Sequence, residues 1–183
     1  MSSRKHIILG VTASIAAYKA CDLLRALQRH NMDVTVVMTP DAKQFISPLT
    51  FASLSRHRVY CDMFVKDASD WDIEHVSLAQ KGDLLLIAPA TANIIGKIAH
   101  GLADDLLSCI AITTKAPIVI APAMNEGMYA NKIVQENIKK VQTHGIHVVK
   151  PTKGLLACGV VGEGHLAEGE TIVKKVCALL KSK

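Results

Sequence analysis

Short, unbroken apolar runs alternate along this chain with longer stretches whose apolar residues recur at helical spacing. Ile7 to Val11, Asp33 to Met38, Asp83 to Ala88, Pro117 to Ala121 and Ile146 to Val149 read as strands, the longer ones buried on both faces. Between the first two, Ala16, Ala20, Leu23, Leu24 and Leu27 mark one face of a helix that Ser14 caps and that runs to about His30. Thr39-Pro40 and Ser47-Pro48 each place a cap before a proline, which starts a helix without needing its missing N–H. Helices are also predicted over Thr91 to Ala99, Asp104 to Ile112, Asn131 to about His144 and Glu168 to Leu180. From about Arg56 to Asp72, leading into Ile73 to Ala79, no regular period emerges.

Strands and helices alternating in this way require crossover connections, which are almost always right-handed. The pattern therefore predicts an α/β fold: one domain over residues 1–183, built on a doubly wound parallel sheet with helices on both faces in a flavodoxin-like, three-layer sandwich.

Composition narrows the class. Half of the 183 residues are apolar, yet no run is long enough to span a bilayer, so a globular chain with no membrane partner is expected. The net charge is +5, but lysines and arginines are dispersed and aromatic residues make up 4%, which fits phosphorylated small molecules better than nucleic acid. The five cysteines include no C-x-x-C pair, so a reducing cytoplasm is expected, without a disulfide framework or a metal site.

Three predicted strand exits carry candidate chemistry. Gly10-Val11-Thr12-Ala13-Ser14 is not G-x-G-x-x-G, the second strand ends in Met38-Thr39 where a dinucleotide fold would place an acid, and no Walker sequence is present. NAD and ATP chemistry are thereby disfavoured. Thr12 and Ser14 at a helix start suit either capping or a phosphate monoester such as that of flavin mononucleotide (FMN). Ala88-Pro89-Ala90-Thr91-Ala92-Asn93 is a second such turn, small enough for a flat ring to approach the backbone, with the same capping alternative. In Pro122-Ala123-Met124-Asn125-Glu126-Gly127-Met128-Tyr129, Asn125 either presents its amide to a bound polar group or bonds its own backbone. Exits of one parallel sheet line a common crevice.

Two further residues suit proton transfer. His75 carries an imidazole, the side-chain type most often used for proton transfer near neutrality. Cys158 stands among the glycines of Gly154 to Gly164, a connection with the composition of a mobile lid, or of a surface loop with an incidental thiol.

Together these stretches resemble the homo-oligomeric flavin-containing cysteine decarboxylases, and among them most the phosphopantothenoylcysteine decarboxylases of coenzyme A biosynthesis. Gly10 to Lys19 looks like their flavin-phosphate turn, Ile73 to Ala79 like their histidine motif, Pro122 to Tyr129 like their P-x-M-N-x-x-M signature and Gly154 to Gly164 like their cysteine flap. The resemblance implies FMN as cofactor, held by Gly10, Thr12, Ser14, Ile15, Thr39, Thr91, Ala92, Asn93 and Ala123. It implies that His75 acts on the substrate thiol, that Asn125, with Met128, holds the substrate by its carboxylate, and that Cys158 donates a proton. The implied reaction converts 4′-phosphopantothenoylcysteine to 4′-phosphopantetheine through thiol oxidation to a thioaldehyde, loss of CO2 and re-reduction. Homotrimers or homododecamers, and a fused or separate phosphopantothenoylcysteine synthetase, are the implied partners. His165 departs from the pattern, since many bacterial relatives are expected to carry arginine there. Peptide cysteine decarboxylases of lantibiotic type, flavin prenyltransferases, flavin-binding regulatory proteins and flavodoxin-like electron carriers are the competing readings.

Overall fold

The computed structural model describes residues 4–63, 74–155, 157 and 159–181. Parallel strands β1 (His6–Val11), β2 (Asp33–Met38), β3 (Leu84–Ala90), β4 (Ile118–Pro122) and β5 (His147–Val148) lie in the order β2-β1-β3-β4-β5. Helices α1 (Lys19–Arg29), α2 (Pro48–Ser55), α3 (Glu74–Lys81), α4 (Ala92–His100), α5 (Leu106–Thr113), α6 (Glu126–Ala130), α7 (Lys132–Thr143) and α8 (Gly169–Lys181) surround the sheet. Two further strands, β6 (Thr152–Leu155) and β7 (Val161–His165), pair as an antiparallel hairpin.

Successive side chains along a strand point to opposite faces, and here both faces are covered. Ile7, Leu9 and Leu86 pack with Leu24 of α1, Phe51 of α2 and Ile172 of α8 on one side. Ile8, Leu85 and Ile120 pack with Leu78 of α3, Ile94 of α4, Leu107 of α5 and Ile138 of α7 on the other. Each fully buried Leu or Ile contributes about 1.5–3 kcal/mol, so the double burial is what stabilises the expected doubly wound sandwich. It also explains why these strands read as continuous apolar runs. Gly10 belongs to this packing: a Cβ there would lie 2.6 Å from Leu107 Cδ1.

Three local departures bear on the site. Where periodicity predicts one helix from Ser14, a 3-10 turn, Ile15–Tyr18, precedes α1. Thr39-Pro40 starts only a short 3-10 helix, Pro40–Gln44, whereas Ser47 caps α2 by accepting from the Leu49 N–H. The glycine-rich stretch expected as a mobile lid or a surface loop overlaps β6 and β7, which pair as a hairpin. The strand order reverses its direction of winding between β1 and β3, and a crevice opens outside their carboxyl ends.

Candidate active site

The two turns flanking that crevice are fastened to each other. Thr12, 1% exposed, donates its hydroxyl to the Pro89 carbonyl at 2.7 Å and accepts from the Thr91 N–H at 3.1 Å. Its hydroxyl is thus occupied by the fold, tying the end of β1 to the end of β3. Ser14 Oγ accepts from the Ala16 N–H at 3.2 Å, and Thr91 Oγ1 accepts from the Ile94 N–H at 3.4 Å, so both serve as caps. Thr39 is also an N-cap, but makes no side-chain capping bond.

The exit of β4 is joined to this pair and to the hairpin. Ala123 donates its N–H to the Ala90 carbonyl at 3.1 Å, and Met124 donates to the Gly164 carbonyl at 3.0 Å. Asn125 Oδ1 accepts from the Gly127 N–H at 2.8 Å, which caps α6 and fixes the plane of the amide. Of the two roles read from the sequence, self-bonding is therefore realised, and it orients the group. Two glycines of β7 allow the close approach: a Cβ at Gly162 would overlap the Glu126 carboxylate, and one at Gly164 the Met124 carbonyl oxygen.

The result is a cavity of about 800 Å³ whose walls include Ser14, Ile15, Thr91, Ala123, Asn125 and Met128, with Leu155, Ala157, Gly159, Gly164 and His165 from the hairpin region. A second space of about 450 Å³ is lined by Thr12, Thr39, Asn93 and Lys97, among others, and shares Ala13, Thr91 and Met128 with the first, so the two adjoin. Gly10, Ala92 and His75 line neither. A larger groove, about 910 Å³, lies at the other end of the sheet between α1 and α8 and includes none of the candidate residues.

Two lysines, Lys19 and Lys97, and three aspartates, Asp41, Asp104 and Asp105, bring charge to the two spaces. Lys97 Nζ lies 2.7 Å from both Asp104 Oδ1 and Asp105 Oδ2. Burial opposes the ammonium, but hydrogen bonds to the two carboxylates outweigh it and raise the Lys97 pKa. Lys19 lines the larger cavity, its Nζ 3.1 Å from His165 Nε2. His165 Nδ1 lies 3.1 Å from the Leu166 carbonyl oxygen and 3.4 Å from Thr152 Oγ1; in the tautomer that carries its proton on Nδ1, Nε2 accepts from the lysine. Sequence reasoning missed this pair because a lysine at the start of a helix resembles any solvated one; its place beside the hydroxyl turn was the available signal.

His75 is the second residue of α3 and is half-buried. Cys158 lies outside the described residues; its neighbours Ala157 and Gly159 are on the cavity wall. No cluster of His, Cys, Asp and Glu among the described residues could hold a metal ion, and no described helix is long and apolar enough to cross a membrane.

The Flavoprotein family profile matches residues 1–181. The coenzyme A biosynthesis bifunctional protein CoaBC of Bacillus subtilis is 46% identical over 174 residues, 95% of this chain and 43% of that protein. The chain thus spans less than half the length of such bifunctional relatives. A probable phosphopantothenoylcysteine decarboxylase of Streptococcus mutans is 44% identical over 94% of this chain and 97% of its own length. Among solved structures, a mutant PPC decarboxylase complexed with pantothenoylaminoethenethiol superposes with a TM-score of 0.86 at 29% identity, covering 98% of this chain and 100% of that one. The FMN-binding protein AtHal3 superposes with a TM-score of 0.84 at 30% identity, covering 99% of both chains.

Proposed function

This chain belongs to the Flavoprotein family, and we propose that it binds FMN and decarboxylates 4′-phosphopantothenoylcysteine to 4′-phosphopantetheine. The observation that carries this reading is the hydrogen-bonded seam between Met124 and Gly164, which brings the P-x-M-N turn and the glycine-rich hairpin to the walls of one cavity. The donor set fits FMN. Ala13 and Ala123 leave the backbone open to a flat ring, while Ser14, Thr39, Thr91 and Asn93 offer hydroxyl and amide groups for a phosphate and a ribityl chain.

Bound FMN supplies a reversible two-electron acceptor, the electron sink that a cysteinyl carboxylate lacks. Asn125, held in one orientation by its bond to Gly127, grips the substrate carboxylate, and Met128 supplies an apolar wall beside it. Leu155, Gly164 and His165 of the hairpin form part of the cavity wall. Cys158, a thiol and so a proton donor by type, protonates the product carbon after CO2 has left.

His75 lines neither cavity of its own chain, so we assign it to the site of a neighbouring copy, where it acts on the substrate thiol. A homotrimer, alone or grouped into a dodecamer, is an assembly that would bring two copies together in this way. Ile15, Tyr18 and Phe45 support it: they are 60%, 58% and 48% exposed at the rim of the larger cavity, an apolar surface that a second copy would cover. A cytoplasmic synthetase, fused or separate, would supply the substrate.

Reconstituted with FMN and given 4′-phosphopantothenoylcysteine without oxygen, the protein is expected to release one CO2 for each 4′-phosphopantetheine formed, with no net oxidation. Turnover of a peptide carboxyl-terminal cysteine instead would transfer the assignment to the peptide decarboxylases. Failure to acquire flavin absorbance with excess FMN would remove the cofactor from the reading.

A further inference from the structure

The position of His75 depends on what holds the start of α3. The far end of that helix is secured by the buried Leu78 and Ala79 and by the Thr114 hydroxyl, which donates to the Ala79 carbonyl at 3.1 Å. The near end is tied to the sheet by a relay of three residues. Tyr60 runs alongside β2, donating its N–H to the Val36 carbonyl at 3.0 Å and accepting from the Met38 N–H at 2.8 Å. Arg58 lays its guanidinium over the Tyr60 ring, with Cζ 4.8 Å from the centroid. Arg58 Nη2 then meets Glu74 Oε1 at 2.9 Å, and Glu74 immediately precedes His75.

Stability alone does not account for this arrangement. The Arg58 side chain is 57% exposed and that of Glu74 19%, and an ion pair half in solvent adds little net stability. Among the described residues, Glu74 Oε2 is buried without a hydrogen-bond partner, which is a cost. What the relay supplies is direction: the stacked, planar guanidinium restricts the first turn of α3. A carboxylate in that turn also suits the positive end of the helix dipole.

We propose that Arg58 and Glu74 are positioning residues for His75, transmitting the fixed edge of the sheet to the catalytic imidazole. The assignment rests on the catalytic role given to His75 above. Arg58→Met and Glu74→Gln are each expected to lower kcat about ten- to a hundredfold, the scale of a misplaced catalytic group, while KM and FMN affinity stay within about twofold of the parent. Arg58→Lys, which keeps the charge without the planar fork, should recover part of kcat. The double variant should be no slower than the worse single one, because both residues act through one contact. Parental kcat in either single variant overturns the proposal. So do losses that multiply fully in the double variant, or losses that only track the fraction of folded, FMN-bound protein. His75→Gln measured alongside separates the two levels. If it turns over normally, the role of His75 falls and this inference with it; if it is inactive beside fully active Arg58→Met and Glu74→Gln, this inference alone falls.

Discussion

The Met124 N–H donates to the Gly164 carbonyl at 3.0 Å, and this bond docks the hairpin against the strand exit that holds Asn125. Gly164 has φ +134, and a Cβ there would overlap the Met124 carbonyl oxygen. Gly164→Ala should therefore loosen the hairpin, at a cost of about 1–3 kcal/mol in its docking, while the sheet remains folded. Steady-state kinetics should show kcat/KM reduced by at least about fivefold, as a weakened closure predicts. Unchanged kinetics would mean that the seam does not shape the site.

Asn125→Asp separates the cap from the catalytic role. Aspartate caps a helix as well as asparagine does, so α6 should persist and thermal stability should be close to parental. The added charge repels the substrate carboxylate, and kcat/KM should fall about a hundredfold or more. On anaerobic mixing with substrate, the flavin spectrum should stay unchanged; bleaching at the parental rate would contradict carboxylate binding at Asn125.

Cys158→Ser is expected to fail at a later step. If the thiol acts only after decarboxylation, the variant should release CO2 once per site and then stop. Quenched-flow analysis of CO2 against enzyme concentration measures this, and sustained turnover at the parental rate would show that Cys158 is not the donor.

Thr12→Val removes the hydroxyl that clamps the β1 and β3 exits. One buried and one part-buried hydrogen bond are lost, and the Pro89 carbonyl and Thr91 N–H lose a partner, so stability should drop by about 1–3 kcal/mol. Because the hydroxyl is engaged within the protein, the decrease should persist in the FMN-free protein. Thermal melts with and without FMN test this; a loss seen only with FMN would place the hydroxyl on the ligand.

A pH effect is expected at the amino end of β1, away from the strand exits. Burial lowers the His6 pKa below its ordinary 6.5, outweighing Asp33, which raises it, while His57 lowers it further. The folded chain therefore binds fewer protons than the unfolded chain just below pH 6.5, so this contribution to stability is intact above that value and is lost as pH falls toward the depressed folded pKa. His6→Gln should show a shallower fall in melting temperature on acidification. Parallel curves for the two proteins would exclude His6 as a source of the dependence.

The alternation of β1 to β4 with their helices was legible in the chain because burial on both faces leaves few polar positions in these strands. The strand exits could be located for the same reason, and with them the neighbourhood of Thr91, Ala123 and Asn125. The hairpin was not legible: glycine disfavours strands, and the value of Gly162 and Gly164 lies in approaching Glu126 and Met124, which periodicity cannot reveal. Nor could the sequence show that Thr12 spends its hydroxyl on Pro89 and Thr91, or that Lys19 meets His165. Apolar periodicity is a local record of which side of each element is buried, and it determined the layers and the edge where ligands belong. Which polar atoms meet at that edge was decided only by tertiary structure, because crossover connections bring together residues that have no local relation in the chain.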